Sequence, residues 1–258
     1  MIVIPQKGKT VSFRDYFSLR AADYARFRPI YPDGLYSRLV SLVSAAHRAL
    51  DCATGSGQAA VALAEHFDHV LAIDGSRSQL ARAERHERVT YAVAFAEHAP
   101  ARDHDFDLVT VAAAAHWFDL DRFYKEVRRV ARPGGLLAMW SYYKFESEPA
   151  IDAVLEHYAN RVVGSHWPER MHFNQEGYTS LPFPFERIPM PPFHAEAHWT
   201  LQEVRGYMAT WSASQRYQEV HGREPIDEVA SDLERLWGRD RRVRLRWPLH
   251  MLVGRVPE

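Results

Sequence analysis

Short apolar runs alternate with amphipathic segments between residues 48 and 142, and this alternation predicts strands separated by helices. The predicted strands are residues 48–52, 70–74, 90–95, 106–113 and 135–142. The predicted helices run through residues 60–64, 78–86 and 120–131. Because the strands are apolar at consecutive positions, we expect helices on both faces of the sheet. The pattern therefore predicts a doubly wound α/β fold with a mostly parallel sheet.

The flanking segments predict helices before this core and a mixed region after it. Residues 12–27 have the periodicity of an amphipathic helix that ends at two prolines, and Asp33 is expected to cap a second helix. Further elements are predicted at residues 150–163, 201–213 and 225–237 as helices, and at residues 185–189 and 243–253 as strands. We expect one domain over residues 1–258, with segments at 1–47, 48–146, 147–240 and 241–258.

The composition of the chain bears on its binding partners and on its cellular compartment. The 258 residues include 32 basic and 33 acidic side chains, so the net charge of -1 favours neither nucleic acid nor an anionic membrane. The single cysteine, Cys52, cannot form an internal disulfide, which favours a reducing, cytoplasmic setting. No run approaches the roughly 20 apolar residues of a membrane helix. We therefore expect a cytoplasmic protein without a nucleic-acid or membrane partner, and its oligomeric state stays open.

A loop of small residues after the first strand carries the main chemical signal. Asp51 ends that strand and precedes Ala53, Gly55 and Gly57, and Asp74 ends the next strand 23 residues later (74 − 51). Ligands of doubly wound sheets bind beyond the carboxyl ends of the strands, where glycines let the backbone approach closely. A carboxylate at the second strand end can accept hydrogen bonds from ribose hydroxyls. The layout therefore predicts an adenosine site.

The loop alone leaves the cofactor open. Gly55, Gly57 and Ala60 satisfy the G-x-G-x-x-G/A spacing of a dinucleotide site, so a nicotinamide oxidoreductase remains an alternative to a methyl-donor site. The loop has no lysine, which excludes a P-loop. The third alternative is that the glycines only turn the chain.

Several motifs in the same order resemble those of class I S-adenosylmethionine-dependent methyltransferases. They are residues 49–58 (ALDCATGSGQ), 107–111 (DLVTV), 115–119 (AHWFD) and 129–137 (RVARPGGLL). The trans-aconitate methyltransferase-like branch is similar also at residues 24–32, 210–212 (TWS) and 247–249 (WPL). The resemblance implies a Rossmann-like sheet with an antiparallel closing strand, an N-terminal helical lid at residues 1–47 and a small helical insertion. It implies S-adenosylmethionine as the cofactor.

The resemblance also implies a set of cofactor-binding residues. They are Tyr24, Arg28, Asp51, Ala53, Gly55, Gly57, Asp74, Gly75, Ala96 and Glu97. Asp74 would hold the ribose hydroxyls, Asp51 would orient the loop and face the methionine amino group, and Ala96 and Glu97 would contact adenine. Ala53 replaces the glycine that the family usually has, and we expect an alanine there to require a negative φ. This replacement also leaves open a non-catalytic protein that binds S-adenosylmethionine.

Residues after the fourth strand and in the flanking segments are candidates for the acceptor side. His116 is the candidate catalytic base for a hydroxyl acceptor, with a packed histidine as the alternative. Tyr31, Trp117, Tyr142 and Trp211 are expected to line the acceptor pocket. A carboxylate acceptor would need no base. The predicted reaction is therefore in-line methyl transfer to an oxygen of a small molecule, which belongs either to a carboxylate or to a hydroxyl group.

Two charged clusters are assigned to the surface rather than to a site. Residues 194–198 (HAEAH) lack the H-E-x-x-H spacing of a zinc motif, so no metal site is predicted. The arginines between residues 239 and 246 are expected to form a solvated strand face, because the chain as a whole is not basic.

Overall fold

The computed structural model describes residues 27–257. Its strands are β1 Arg48–Cys52, β2 His69–Asp74, β3 Val89–Val93, β4 Phe106–Ala112, β5 Ala131–Ser141, β6 Glu186–Arg187, β7 Phe193–Trp199 and β8 Val243–Arg255. Its α-helices are α1 Asp33–Val40, α2 Gln58–Ala64, α3 Arg77–Leu80, α4 Leu120–Val130, α5 Pro149–His157, α6 Met171–Gln175, α7 Leu201–Ala209, α8 Ser212–His221 and α9 Ala230–Trp237. Most of the helix predicted at residues 12–27 lies outside the described residues.

The central sheet has the order β3-β2-β1-β4-β5-β8-β6. Strands β1 to β5 are parallel, whereas β8 runs antiparallel to both β5 and β6. This arrangement confirms the predicted Rossmann-like, mostly parallel sheet with an antiparallel closing strand. The strand order reverses between β1 and β4, so the tips of these two strands form the switch point where ligands bind in doubly wound sheets.

Both faces of the central strands are buried, which explains why they are continuously apolar in sequence. On β4, Leu108 packs into the core on one face, while Val109 and Val111 pack into the core on the other. Strand β5 alternates in the same way, with Ala138 and Met139 on opposite faces. Side chains of successive strand residues point to opposite faces, so only a two-sided core accounts for this run.

Strand β8 belongs to two sheets. Its first half pairs antiparallel with β7, and its second half pairs with β5 and β6. Trp247 is fully buried in the first half, and its indole N–H donates to the hydroxyl of Tyr207 at 3.1 Å. The rings of Trp199 and Phe145 pack against it at 4.9 and 5.6 Å between centroids. This aromatic core joins the C-terminal region to the parallel sheet.

Four predicted helices differ from the structure, and the strand predicted at residues 185–189 is limited to β6. The helix predicted at residues 78–86 is limited to α3, because the backbone of Glu84 bonds instead to the Ser56 carbonyl and to the Tyr91 hydroxyl. The helix predicted at residues 201–213 divides into α7 and α8 at Trp211, whose ψ of 136° is extended. The other two helices are irregular at one end: residues 158–162 continue α5 as a π-helix, and residues 225–229 precede α9 as a 3-10 turn. Asp33 is the first helical residue of α1, and Pro32 takes the capping position.

No helix among residues 27–257 combines the length and the apolar character needed to cross a membrane.

Candidate functional site

Asp51, at the carboxyl end of β1, is completely buried at the switch point. Its two carboxylate oxygens accept hydrogen bonds from the hydroxyls of Thr54, at 2.5 Å, and Thr110, at 2.7 Å. Burial raises the pKa of Asp51 to about 6, although the two hydroxyl bonds oppose this shift. The buried carboxylate therefore joins the loop after β1 to the neighbouring strand β4.

Asp74, at the end of β2, bonds to the same loop. Its Oδ2 accepts from the backbone N–H of Gly55 at 2.8 Å, and its Oδ1 accepts from the N–H of Ser76 at 2.7 Å. The N–H of Thr54 also donates to the Ile73 carbonyl at 2.9 Å, which holds the loop along β2. The carboxylate of Asp74 thus faces the loop and bonds it to the end of β2.

The loop leaves open space on one side and is packed on the other. A Cβ placed on Gly55 would meet no heavy atom of residues 27–257 within 4 Å, whereas a Cβ on Gly57 would lie 2.3 Å from the Tyr91 hydroxyl. Gly55 and Gly57 have φ values of +58° and +84°, which favour glycine. The loop is therefore fixed against Tyr91 and open above Gly55, where a ligand can approach its backbone.

Ala53 contradicts the expectation of a negative φ at this position. Its φ is +53°, in the left-handed region, and Ala113 after β4 has a φ of +54°. Two alanines at the tips of adjacent strands therefore adopt a conformation that costs L-residues roughly 1–2 kcal/mol each. Backbone strain of this kind clusters at ligand sites.

A cavity opens beside the tips of β4 and β5. The residues that line it are Arg28, Ala113, His116, Trp117, Tyr142, Tyr143, Trp167, Met171, Asn174, Tyr207, Thr210, Trp211 and Ser212. Arg28 donates from Nη1 to the hydroxyl of Tyr142 at 3.2 Å, and its guanidinium lies 5.4 Å from the ring centroid of Tyr207. The amide of Gln58, at the start of α2, donates to the Pro29 carbonyl at 3.0 Å, so the segment carrying Arg28 is held next to the loop after β1.

His116 is buried in the wall of this cavity, with 3% of its surface exposed. Its Nδ1 and the hydroxyl of Tyr178 form a hydrogen bond of 3.0 Å. Burial lowers the pKa of His116 to about 3, and the positive charges of Arg170 and Arg28 act in the same direction. The imidazole is therefore neutral at physiological pH.

Comparison with known proteins identifies the family. A family model described as a methyltransferase domain matches residues 50–139. A methyltransferase-family protein from Dictyostelium discoideum is 30% identical over 252 residues, which cover 94% of this chain and 95% of that protein. The chain belongs to the class I S-adenosylmethionine-dependent methyltransferases. A solved structure of a type II methyltransferase homologue from Anaeromyxobacter dehalogenans is 41% identical, with a TM-score of 0.83 over 90% of this chain and 100% of that one.

The cofactor of this methyltransferase is S-adenosylmethionine. A more distant solved structure, phosphoethanolamine N-methyltransferase 2 of Haemonchus contortus, contains S-adenosylhomocysteine. It shares the fold at 18% identity and a TM-score of 0.50, over 96% of this chain and 61% of that one. The site of the present methyltransferase fits such a group: the backbone is open at Gly55, and the Asp74 carboxylate lies beside it.

The candidate adenine residues of the methyltransferase follow β3 in the chain. Ala96 is buried, and Glu97 accepts from the backbone N–H of Asp119 at 2.8 Å through Oε1. Glu97 therefore fixes the start of α4, where Asp119 caps the helix by accepting from the Arg122 N–H at 3.3 Å. Gly75 directly follows Asp74 in the chain. Contact of these residues with adenine stays a prediction.

The candidate acceptor residues separate into two groups. Trp117, Tyr142 and Trp211 line the cavity together with His116. Tyr31 lies behind it, with its ring 6.2 Å from Tyr142 and 5.5 Å from Trp140 between centroids. Tyr24 lies outside the described residues.

The sequence did not reveal three residues that line or support the cavity of the methyltransferase. Asn174 and Trp167 line it, and Tyr178 holds His116. All three lie in the irregular stretch 164–184, where no periodic pattern shows which side chains point inward. Asn174 is 7% exposed, and its Oδ1 accepts no hydrogen bond from the described residues.

The two clusters assigned to the surface pair with each other. Glu196 on β7 accepts from Arg244 on β8 at 2.8 and 3.0 Å, and His194 bonds to Arg246. The side chain of Arg244 is 64% exposed. Glu196 of the HAEAH segment is therefore paired with Arg244 across the two strands, and Arg246 is paired with His194.

Proposed function

We propose that this methyltransferase transfers a methyl group to a carboxylate oxygen of a small molecule bound in the cavity beside His116. The charge of the cavity carries this proposal. Among the described residues that line it, Arg28 is a cation and none is an aspartate or glutamate. A guanidinium in a mostly apolar wall favours an anionic partner, because the carboxylate offers two oxygens to its planar fork.

The low pKa of His116 favours a carboxylate over a hydroxyl acceptor. A general base works best when its pKa is near the operating pH, and an imidazole with a pKa of about 3 accepts a proton poorly at neutral pH. A carboxylate oxygen is already nucleophilic and has no proton to lose. His116 is then a neutral hydrogen-bonding group that orients the acceptor, and the role of the protein is proximity and alignment.

Bound S-adenosylmethionine supplies an electrophilic methyl group on a sulfonium. We assign Asp74 to the ribose hydroxyls, the loop at Ala53, Gly55 and Gly57 to the backbone contacts, and buried Asp51 to the orientation of that loop. Arg28 would hold the acceptor carboxylate. Aromatic rings of the cavity would surround the rest of the acceptor, which favours a planar or apolar body.

Two further observations support this assignment. Residues 28–32 and 210–212 resemble the trans-aconitate methyltransferase-like branch, and Arg28, Thr210, Trp211 and Ser212 line one cavity. The buried amide of Asn174 lies in the same wall and can pair with a polar group of the acceptor.

We also infer a cytoplasmic setting, because the single cysteine Cys52 is buried and free.

The test is a matched series of acceptors. The purified enzyme is supplied with S-adenosylmethionine and with benzoate, benzyl alcohol, benzamide or trans-aconitate. Release of S-adenosylhomocysteine and mass spectrometry of the product identify the methylated group. We expect methyl esters from carboxylates and no product from the alcohol or amide. Methylation of the alcohol without any methyl ester would refute the proposal.

An Arg28→Met variant tests whether Arg28 binds the carboxylate of the acceptor or the methionine carboxylate of the cofactor. We expect the acceptor KM to rise about 10-fold or more, because a buried charge-assisted pair is lost, while the affinity for S-adenosylhomocysteine is unchanged. Arg38→Met, at an exposed site on α1 where Arg38 bonds to Ser41, is the matched control. If Arg28→Met weakens S-adenosylhomocysteine binding and leaves the acceptor KM unchanged, Arg28 binds the methionine carboxylate instead.

A further inference from the structure

Tyr178 has a backbone conformation that its side chain disfavours. Its φ is +61°, directly after Gly177, which also has a φ of +61°. The two residues close the end of α6: the Tyr178 N–H donates to the Phe173 carbonyl at 2.7 Å, and the Gly177 N–H donates to the Asn174 carbonyl at 3.1 Å. Glycine or asparagine is usual at such a position, and a tyrosine there costs roughly 1–2 kcal/mol. Contacts of the Tyr178 side chain must offset this cost.

The side chain of Tyr178 is completely buried and reaches His116. Its hydroxyl lies 3.0 Å from Nδ1 of His116, and the ring centroids are 6.0 Å apart. On its other side, His116 contacts the ring of Trp117 at 4.8 Å between centroids. One nitrogen of the imidazole is thus bonded within the protein.

The segment that carries Tyr178 is attached to the region after β4 at two further points. Arg170 donates from Nη1 to the Phe118 carbonyl at 2.5 Å. The hydroxyl of Tyr124 on α4 donates to the Pro182 carbonyl. These bonds lie before and after Tyr178 in the chain, so they attach the segment to the region after β4 independently of the bond between Tyr178 and His116.

We propose that Tyr178 is a positioning residue for methyl transfer: its hydroxyl fixes the ring orientation and the tautomer of His116, so that Nε2 meets the acceptor. In a neutral imidazole one nitrogen carries the proton and the other accepts, and a tyrosine hydroxyl can either donate to Nδ1 or accept from it. As the donor in this bond, the Tyr178 hydroxyl would leave the proton on Nε2. Burial of the Tyr178 ring and its bond to His116 offset the cost of the left-handed backbone at this residue. The inference rests on the proposed function, in which His116 contacts the acceptor.

The first test needs no variant. Long-range ¹⁵N–¹H spectra of histidine-labelled enzyme report the tautomer of each imidazole, and the signals of His116 are assigned by their loss in His116→Gln. We expect a single neutral tautomer for His116 near neutral pH. A mixture of the two tautomers in the wild-type enzyme would overturn the proposal, whatever the acceptor proves to be.

The second test is Tyr178→Phe, which keeps the ring and removes the hydroxyl. We expect averaged ¹⁵N shifts for His116 and a fall in kcat of about 10-fold to 100-fold, the effect of a misplaced reacting group. The affinity for S-adenosylhomocysteine and the acceptor KM should change less than about 3-fold. Unchanged shifts and kcat would overturn the proposal.

Tyr124→Phe is the matched control, because it removes a hydroxyl bond to the same segment without touching His116. We expect it to leave the His116 shifts and kcat unchanged. An equal fall in kcat for both variants would show that loosening of the segment is the cause, and would overturn the proposal. If the wild-type enzyme methylates no carboxylate, the proposed function fails while the tautomer measurement still decides the role of Tyr178.

Discussion

The backbone N–H of Gly55 donates to the Asp74 carboxylate across 2.8 Å, so the turn after β1 is bonded to the end of β2. This bond places the Asp74 carboxylate beside the open side of Gly55. The two strand tips therefore form one preassembled surface rather than two independent loops.

Asp74→Asn tests this surface. An amide has one accepting oxygen instead of two and no charge, so we expect the Kd for S-adenosylhomocysteine to rise about 10-fold to 100-fold, in line with the loss of charge-assisted hydrogen bonds. Calorimetry measures the change, and the ligand-induced rise in Tm should shrink accordingly. Asp68→Asn, an exposed acid just before β2, is the control. Equal Kd values for both variants would exclude Asp74 from the cofactor site.

Ala53→Gly should not have the destabilising effect usual for this substitution. Relief of the left-handed strain at φ +53° outweighs or balances the entropy of the added glycine. We expect the free energy of unfolding to rise by up to about 1 kcal/mol, measured by urea denaturation. Ala62→Gly within α2 is the comparison and should lose about 1 kcal/mol. A similar loss in both variants would contradict strain at Ala53.

Asp51→Asn should change how stability depends on pH. Burial raises the native pKa of Asp51 from 3.8 to about 6, so the native state binds more protons than the unfolded state between these values. Rising pH through this window therefore destabilises the wild type relative to the variant, by up to about 3 kcal/mol. Urea denaturation at about pH 4 and about pH 7 measures the difference, in which the groups common to both proteins cancel. If the free energy of unfolding of the wild type rises relative to that of the variant as the pH increases, the raised pKa of Asp51 is contradicted.

Asn174→Leu should stabilise the protein and impair the reaction. The substitution removes a buried amide oxygen that accepts no hydrogen bond from the described residues, a defect that costs roughly 1–3 kcal/mol. We expect a rise of about 1 kcal/mol in the free energy of unfolding and a rise of about 10-fold in acceptor KM. Asn160→Leu, at an exposed asparagine of the π-helical turn, is the control. A stabilised variant with normal KM would remove Asn174 from acceptor binding.

The sheet was predictable because its signal is local. Each central strand is a short apolar run, and the predicted bounds of the first strand, residues 48–52, agree with β1. The closing strand was also predictable as a strand, since Val243, Leu245 and Trp247 alternate with arginines, while its antiparallel direction was implied by the family resemblance. The central strands are buried on both faces and are therefore apolar at consecutive positions, whereas the closing strand is buried on one face and alternates.

The cavity was only partly predictable, because contacts between distant segments build it. Arg28 meets Tyr142 across 114 positions of chain, and His116 meets Tyr178 across 62. No periodicity encodes such pairs. The left-handed φ of Ala53 was missed for a related reason: side-chain identity favours negative φ, but the bonds of Asp51 and Asp74 to the surrounding loop fix the backbone there.

The double role of β8 has a consequence for synthesis of the enzyme. This strand is translated after every other described strand, yet it lies between β5 and β6 and also carries β7. Until residue 255 has left the ribosome, the nascent polypeptide exposes the unpaired edge of β5 with its apolar side chains. Such an edge can pair with a strand of another polypeptide chain. Pairing of this edge within the protein therefore waits for β8, and the yield of active enzyme in cells should respond to chaperone supply.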